Sequence, residues 1–257
     1  MNFFEAVVIG VVEGLTEFLP VSSTGHMILT QKLLGLDANK DPFIGSFQII
    51  IQLGAILAVV VLYAQRFAKD IEVWKRVIAA FIPTAILGYL LNDFFVSNQS
   101  DDLVTVVALV VVGVLFLFID RLTANLMRYK NLQEAPIATS ALVGVIQTIA
   151  TIPGVSRSGA SIIGGMLMGM DKKSAAEFSF LLAVPTMLGA SALRIRDVGL
   201  KFSGQEWMLL AVGFVVAFVV AVASIRFMMN LLPRYGFTPF GWYRIIVGLV
   251  YAAFILR

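Results

Sequence analysis

Residues 13–27, EGLTEFLPVSSTGHM, place Glu13, Glu17, Ser22, Ser23, Thr24 and the only histidine of the chain, His26, inside one interrupted apolar segment. At membrane depth each ionisable group costs roughly 2.5–3.5 kcal/mol on insertion scales, so a carboxylate pair beside an imidazole in hydrocarbon marks function. The preceding run, 3–12, is apolar but too short to span a bilayer. The following run, 18–36, is broken by Pro20, Ser22, Ser23, Gly25 and His26. Two half-helices meeting at a bend near Pro20 are therefore expected. Such re-entrant backbone is tolerated only where protein or a water-filled cavity surrounds it.

The whole chain supports a membrane setting. Of 257 residues, 59% are hydrophobic and only 14% are charged, and mean hydropathy is +0.92, whereas about 25% charge is usual for a soluble domain. Strict alternation, the mark of a membrane barrel, is absent. The first apolar run has no basic segment ahead of it and reads as part of the mature fold rather than a removable signal. With no cysteine, disulfides, thiol catalysis and cysteine metal sites are excluded, which leaves oxygen ligands and one imidazole. The net charge of +3 needs no nucleic acid to explain it, because cytoplasmic loops of membrane proteins carry excess Lys and Arg.

Full spans are expected over 43–64, 77–91, 103–119, 178–193, 207–225 and 240–256, with loops at 37–41, 65–76, 92–102 and 120–134. The second half repeats the first. An offset of 134 sets Gly10 on Gly144, Glu13 on Gln147, Ser22 on Ser156, Ser23 on Arg157, Thr24 on Ser158 and Gly25 on Gly159. Two weakly similar halves that each open on a Gly/Pro-interrupted segment point to an internal repeat with the site at its interface. The expected fold is thus an all-α integral membrane protein and a single domain, 1–257. It holds two inverted repeats, 1–134 and 135–257, each a re-entrant hairpin plus three transmembrane helices. Three spans per repeat invert the second half. Loops 65–76, 121–136 and 171–177 and the stretch 226–234 then share one face with eleven of the nineteen Lys and Arg. The positive-inside rule makes that face cytoplasmic.

Glu13 and Glu17 are four residues apart and share a helix face. Like charges so close either share a proton or bind a cation, and without thiolates a hard one, Mg²⁺ or Ca²⁺. Ser23 and His26 also share a face, and a hydroxyl beside an imidazole is the minimum for an activated nucleophile. Taken alone, Ser22-Ser23-Thr24 is only a helix cap and His26 a core histidine. The second bend, PGVSRSGAS at 153–161, carries one charge, Arg157, among Gly154, Ser156, Ser158 and Gly159. A guanidinium fork matches phosphate, and glycines let backbone amides approach it. Together these are the parts for phosphoryl transfer on a lipid-borne phosphate: nucleophile, base, cation and arginine clamp. A polyprenyl-phosphate flippase would use the same clamp and fold plan.

Both motifs, with EFSFLLAVP at 177–185, closely resemble the bacterial undecaprenyl-pyrophosphate phosphatase family linked to bacitracin resistance, and the likeness runs over essentially the whole chain. One departure is Ser161, where that family usually has Thr. The resemblance implies hydrolysis of undecaprenyl diphosphate to undecaprenyl phosphate and phosphate, recycling the carrier lipid for peptidoglycan. It also implies a divalent cation, access from the periplasmic side of the bacterial inner membrane, and a homodimer. Carried over, the essential residues are Glu13, Glu17, Ser23, His26 and Arg157. Ser23 would attack phosphorus with His26 or Glu17 as base; the rival is a water nucleophile with Glu17 as base.

Overall fold

A computed structural model describes residues 1–38, 40–90, 102–198 and 201–255. The regular elements described are helical: α1 (Phe3–Thr16), α2 (Ser23–Leu34), α3 (Pro42–Leu62), α4 (Ala64–Lys69), α5 (Ile71–Leu90), α6 (Asp102–Thr123), α7 (Ile137–Gln147), α8 (Arg157–Leu167), α9 (Lys172–Val198), α10 (Gly204–Tyr235) and α11 (Thr238–Ile255). Short 3-10 pieces, Leu132–Glu134 and Thr148–Thr151, flank α7. Among the described residues, five helices are long and apolar enough to cross a membrane: α3, α5, α6, α9 over Lys172–Arg196, and α10. The segment expected as the sixth span, 240–256, is helical as the 18-residue α11. The unbasic loop expected at 92–102 lies, apart from Asp102, outside the described residues.

Three expected boundaries move, one of them at α9, which runs Lys172–Val198 where a loop at 171–177 and a span over 178–193 were expected. The segment 65–76, read as a loop, is helical: α4 ends at Lys69, and Asp70 accepts the Val73 amide (3.2 Å) to start α5. Arg76 stays in the helix because its guanidinium is satisfied by the carbonyls of Ala135 (2.7 Å) and Gln133 (2.5 Å) and by Glu72 (2.9 Å). α10 runs 32 residues to Tyr235 rather than ending near 225. At 1.5 Å per residue it is about 48 Å long, more than the roughly 30 Å of a hydrocarbon core, so part of it extends beyond the apolar layer.

Helix pairing follows a reciprocal scheme. α1 packs on α10 and α7 packs on α5; α3 also packs on α10 and α9 on α5; α3 meets α9, and α6 meets α11. Small residues permit the closest of these approaches. A side chain at Gly10 would sit 2.9 Å from the Gly213 carbonyl of α10, and one at Gly144 would collide with the Ala80 backbone of α5. Without a hydrophobic drive between helices in lipid, such van der Waals contact is the main source of association.

The basic segments gather at one end of the bundle. There Arg66 pairs with Glu177 (3.0 Å), Gln133 donates to Asp70 (2.5 Å), and Ser174 donates to the Lys130 carbonyl (2.9 Å). At the other end Lys32 pairs with Asp102, which also accepts from Tyr251 (2.6 Å). Between the ends the two hairpin bends meet, where Ser158 of α8 donates to the Leu19 carbonyl (2.9 Å). Phe18 packs edge-on against Phe180 of α9, with centroids 5.4 Å apart, and walls this junction with hydrocarbon.

Candidate active site

Each bend ends on a strained serine. Ser22 has φ 72° and ψ 94°, and Ser156 has φ 82° and ψ 116°; they are the two positive-φ non-glycine residues among those described. Such conformations cost of order 1–3 kcal/mol each. The hydroxyls offset part of that cost as helix caps, Ser22 accepting from the Gly25 amide (3.3 Å) and Ser156 from the Gly159 amide (3.1 Å). The following residues, Ser23 and Arg157, become the first residues of α2 and α8. That local geometry delivers their side chains to the junction.

There they share one acceptor. Ser23 Oγ donates to Glu17 Oε2 (2.6 Å), and Arg157 Nη2 donates to Glu17 Oε1 (3.0 Å). Glu17 caps the end of α1 and is 5% exposed. The other arm of Arg157 donates to the Ser179 carbonyl of α9 (2.9 Å), and Ser161 bonds to both Ser179 (2.6 Å) and the Arg157 carbonyl (2.8 Å). Phe18 lies under the guanidinium, 5.7 Å from its carbon. A pair this dry is costly to break, because removing either partner leaves a buried charge. Arg157 Nε remains buried without a partner, a donor still to be matched.

Glu13 is one turn ahead of Glu17 on α1 and is buried, with Oε1 lacking a partner. No group of three or more His, Cys, Asp or Glu capable of holding a metal occurs among the described residues. The donor set therefore does not form an all-protein cage. It does fit a hard cation of the Mg²⁺ type, which commonly binds one or two carboxylates and completes its sphere with water and substrate phosphate.

His26 stands slightly apart. Its Nδ1 is 2.7 Å from the Ser22 carbonyl, and its Nε2 is 2.8 Å from the Tyr243 hydroxyl. The sequence left His26 and Glu17 as alternative partners for Ser23; the Ser23 hydroxyl goes to Glu17.

The remaining sequence candidates occupy the two bends. Ser22, Ser156 and Ser158 are buried and spend their hydroxyls on caps and on the hairpin contact. Gly154, at φ 91°, lies so close to the Thr105 carbonyl that a side chain would clash. Gly159 faces Phe116, and Thr24 is exposed on the first turn of α2.

The residue missed from sequence is Arg244 of α11. It is fully buried and donates to the carbonyls of Pro20 (3.1 Å) and Gly154 (2.5 Å), with Phe116 5.2 Å from its guanidinium carbon. Pro20 and Gly154 are themselves 134 positions apart, so one guanidinium ties equivalent points of the two bends. A lone charge inside the last apolar run was the available signal.

A profile described as bacitracin resistance protein BacA matches residues 6–250 of this chain. The chain belongs to the BacA family. Among its relatives, the undecaprenyl-diphosphatase of Aquifex aeolicus is 49% identical over the full length of both chains. That of Persephonella marina is 47% identical over the full length of both. The Thermus thermophilus protein of the same name is 46% identical, over all of this chain and 99% of its own. Membership makes this BacA protein a multi-pass membrane protein, in keeping with its apolar helices. The family resemblance read from the two bend motifs is thereby borne out.

Proposed function

We infer that the chain is an undecaprenyl-diphosphatase, a membrane phosphatase that hydrolyses undecaprenyl diphosphate to undecaprenyl phosphate and inorganic phosphate, as its full-length relatives are named to do. The observation that carries the chemical reading is the shared grip of Ser23 and Arg157 on Glu17 at the junction of the two bends. In this reading Ser23 Oγ bonds to the terminal phosphorus while Glu17 takes its proton. The bond from that phosphorus to the bridging oxygen breaks, and undecaprenyl phosphate leaves with the electron pair. Water then cleaves the phosphoserine, releasing phosphate and restoring the hydroxyl. Arg157 turns its fork to the equatorial oxygens, where charge develops. The amides of Ser23, Thr24, Arg157 and Ser158 precede the first main-chain bonds of their helices, His26 to Ser22 (3.2 Å) and Ala160 to Ser156 (3.0 Å). They are available to an anion. Glu13 and Glu17 would hold a divalent cation, which when bound supplies neutralisation of diphosphate charge.

The proposed architecture is a pair of inverted repeats, 1–134 and 135–257, each with a re-entrant hairpin of two half-helices and three spans. Three features support it. The main long-helix pairings have counterparts when the halves are exchanged, Gly10 and Gly144 make matching close contacts, and the strained serines fall at equivalent positions. Segments with Arg66, Lys69, Arg76, Lys130, Lys172 and Lys173 lie together at one end, which the positive-inside rule assigns to the cytoplasm. The α1–α2 hairpin then opens to the periplasmic side, in a bacterial inner membrane. The prenyl tail lies among the apolar helices, the product re-enters peptidoglycan synthesis, and the protein works as a homodimer.

Phosphate release from a prenyl diphosphate in detergent with Mg²⁺ or Ca²⁺ tests the activity, since no gradient exists there. Release by the purified protein, abolished by Glu17→Ala, is the expected result. No release in several detergents would favour the flippase reading.

A further inference from the structure

The second turn of α11 carries two consecutive side chains that enter the site region, Tyr243 and Arg244. Arg244 fixes the helix to both bends through the carbonyls of Pro20 and Gly154. Its neighbour then reaches His26: the two rings are parallel, 1° apart in tilt and 5.5 Å between centroids, and the Tyr243 hydroxyl is 2.8 Å from Nε2. Tyr243 is 44% exposed, so burial does not force this contact. The opposite side of the imidazole is set by the backbone. A carbonyl can only accept, so Nδ1, 2.7 Å from the Ser22 oxygen, carries the hydrogen. In the neutral ring Nε2 is then the bare nitrogen, and the tyrosine hydroxyl donates to it.

We propose that Tyr243 is a positioning residue for the reaction: with the Ser22 carbonyl it holds His26, three residues beyond Ser23 on α2, in one tautomer and one orientation. The contact also gives His26 a route for a proton. When the ring gains one at Nε2, the tyrosine oxygen turns from donor to acceptor without the rings moving. The inference rests on His26 belonging to the diphosphatase site, and it gives the Ser22 carbonyl directed at the ring a role.

His26 is the only histidine of the chain, so selective ¹⁵N labelling gives a single imidazole to observe in the detergent-solubilised full-length protein. The wild type is expected to show a protonated Nδ1 and a bare, hydrogen-bonded Nε2. In Tyr243→Phe, which keeps the ring stack, Nδ1 should be unchanged and Nε2 should move towards the position of an unbonded nitrogen. Loss of one hydrogen bond should lower kcat by about two- to tenfold with KM nearly constant. Tyr235→Phe, exposed at the far end of α10, is the control and should match wild type. An inverted tautomer in the wild type, or an Nε2 signal indifferent to Tyr243→Phe, would overturn the contact. A shifted Nε2 signal with unaltered kcat would overturn the positioning role. An inactive wild-type protein would overturn the diphosphatase reading, and that role with it, even where the nitrogen signals report the contact.

Discussion

Ser23 and Arg157 bond to opposite oxygens of one buried carboxylate, Glu17, at 2.6 and 3.0 Å. One arrives on α2 and the other on α8, each as the first residue of its helix behind a strained serine. The arrangement pairs a hydroxyl with a proton acceptor and places a cation at the same point. A tetrahedral phosphate entering there would exchange the Arg157–Glu17 contact for its own oxygens and leave Glu17 free to take the Ser23 proton.

Glu17→Gln should therefore abolish the acceptor while conserving shape. A positioned general base contributes about 10²–10⁴-fold, so a fall of that size in kcat is expected in a phosphate-release assay. The melting temperature in detergent should also fall, because the neutral amide leaves the buried Arg157 charge without its counter-ion. Activity within a few fold of wild type would remove Glu17 from the proton transfer.

Arg157→Lys preserves the charge but not the fork. A lysine cannot bond Glu17, the Ser179 carbonyl and phosphate oxygens together, and loss of a preorganised donor costs about 10²–10³ in kcat. Steady-state kinetics should show that loss in kcat more than in KM. Equal kcat for the two residues would mean that charge alone matters.

Glu13 tests the cation. Its unpartnered oxygen predicts that Glu13→Gln raises the Mg²⁺ or Ca²⁺ concentration needed for half-maximal rate by at least about tenfold, the scale of lost metal-site contacts. Chelation should silence the wild type reversibly. A metal titration identical in the two proteins would place the ion elsewhere.

The strained bends make a stability prediction. Ser22→Gly removes a cap worth only a few tenths of a kcal/mol relative to glycine and relieves about 1–3 kcal/mol of backbone strain. The variant should melt at or above the wild-type temperature. Ser22→Val, β-branched at φ 72°, should melt well below it. Thermal unfolding in detergent checks both, and a stable valine variant would show that the bend relaxes freely.

What the sequence revealed follows from contrast. Glu13, Glu17, His26 and Arg157 stand out because their surroundings are hydrocarbon, and Pro20 and Gly154 mark the bends because they interrupt apolar runs. The 134-residue offset placed Ser23 opposite Arg157 before any distance was available. Arg244 carried the same kind of signal but sits near a helix start, where a long side chain ordinarily snorkels to the interface. Its partners are carbonyls of Pro20 and Gly154, distant in sequence and invisible to side-chain patterns. Tyr243 was hidden for the same reason: its role depends on a ring 217 positions away. The helical segment 71–76 was misread because Arg76 and Lys75 suggest a solvated loop, whereas Arg76 is buried on the backbone between α6 and α7.

The central claim is that Ser23 attacks phosphorus. Its most direct test is acid quenching of a single turnover with prenyl diphosphate labelled in the terminal phosphate, followed by peptide mapping. The account predicts transient label on Ser23, absent from Ser23→Ala, which should itself lose at least about a thousandfold in kcat. Burst-free release with no protein-bound label at any quench time, or full turnover by Ser23→Ala, would contradict it and leave water as the nucleophile.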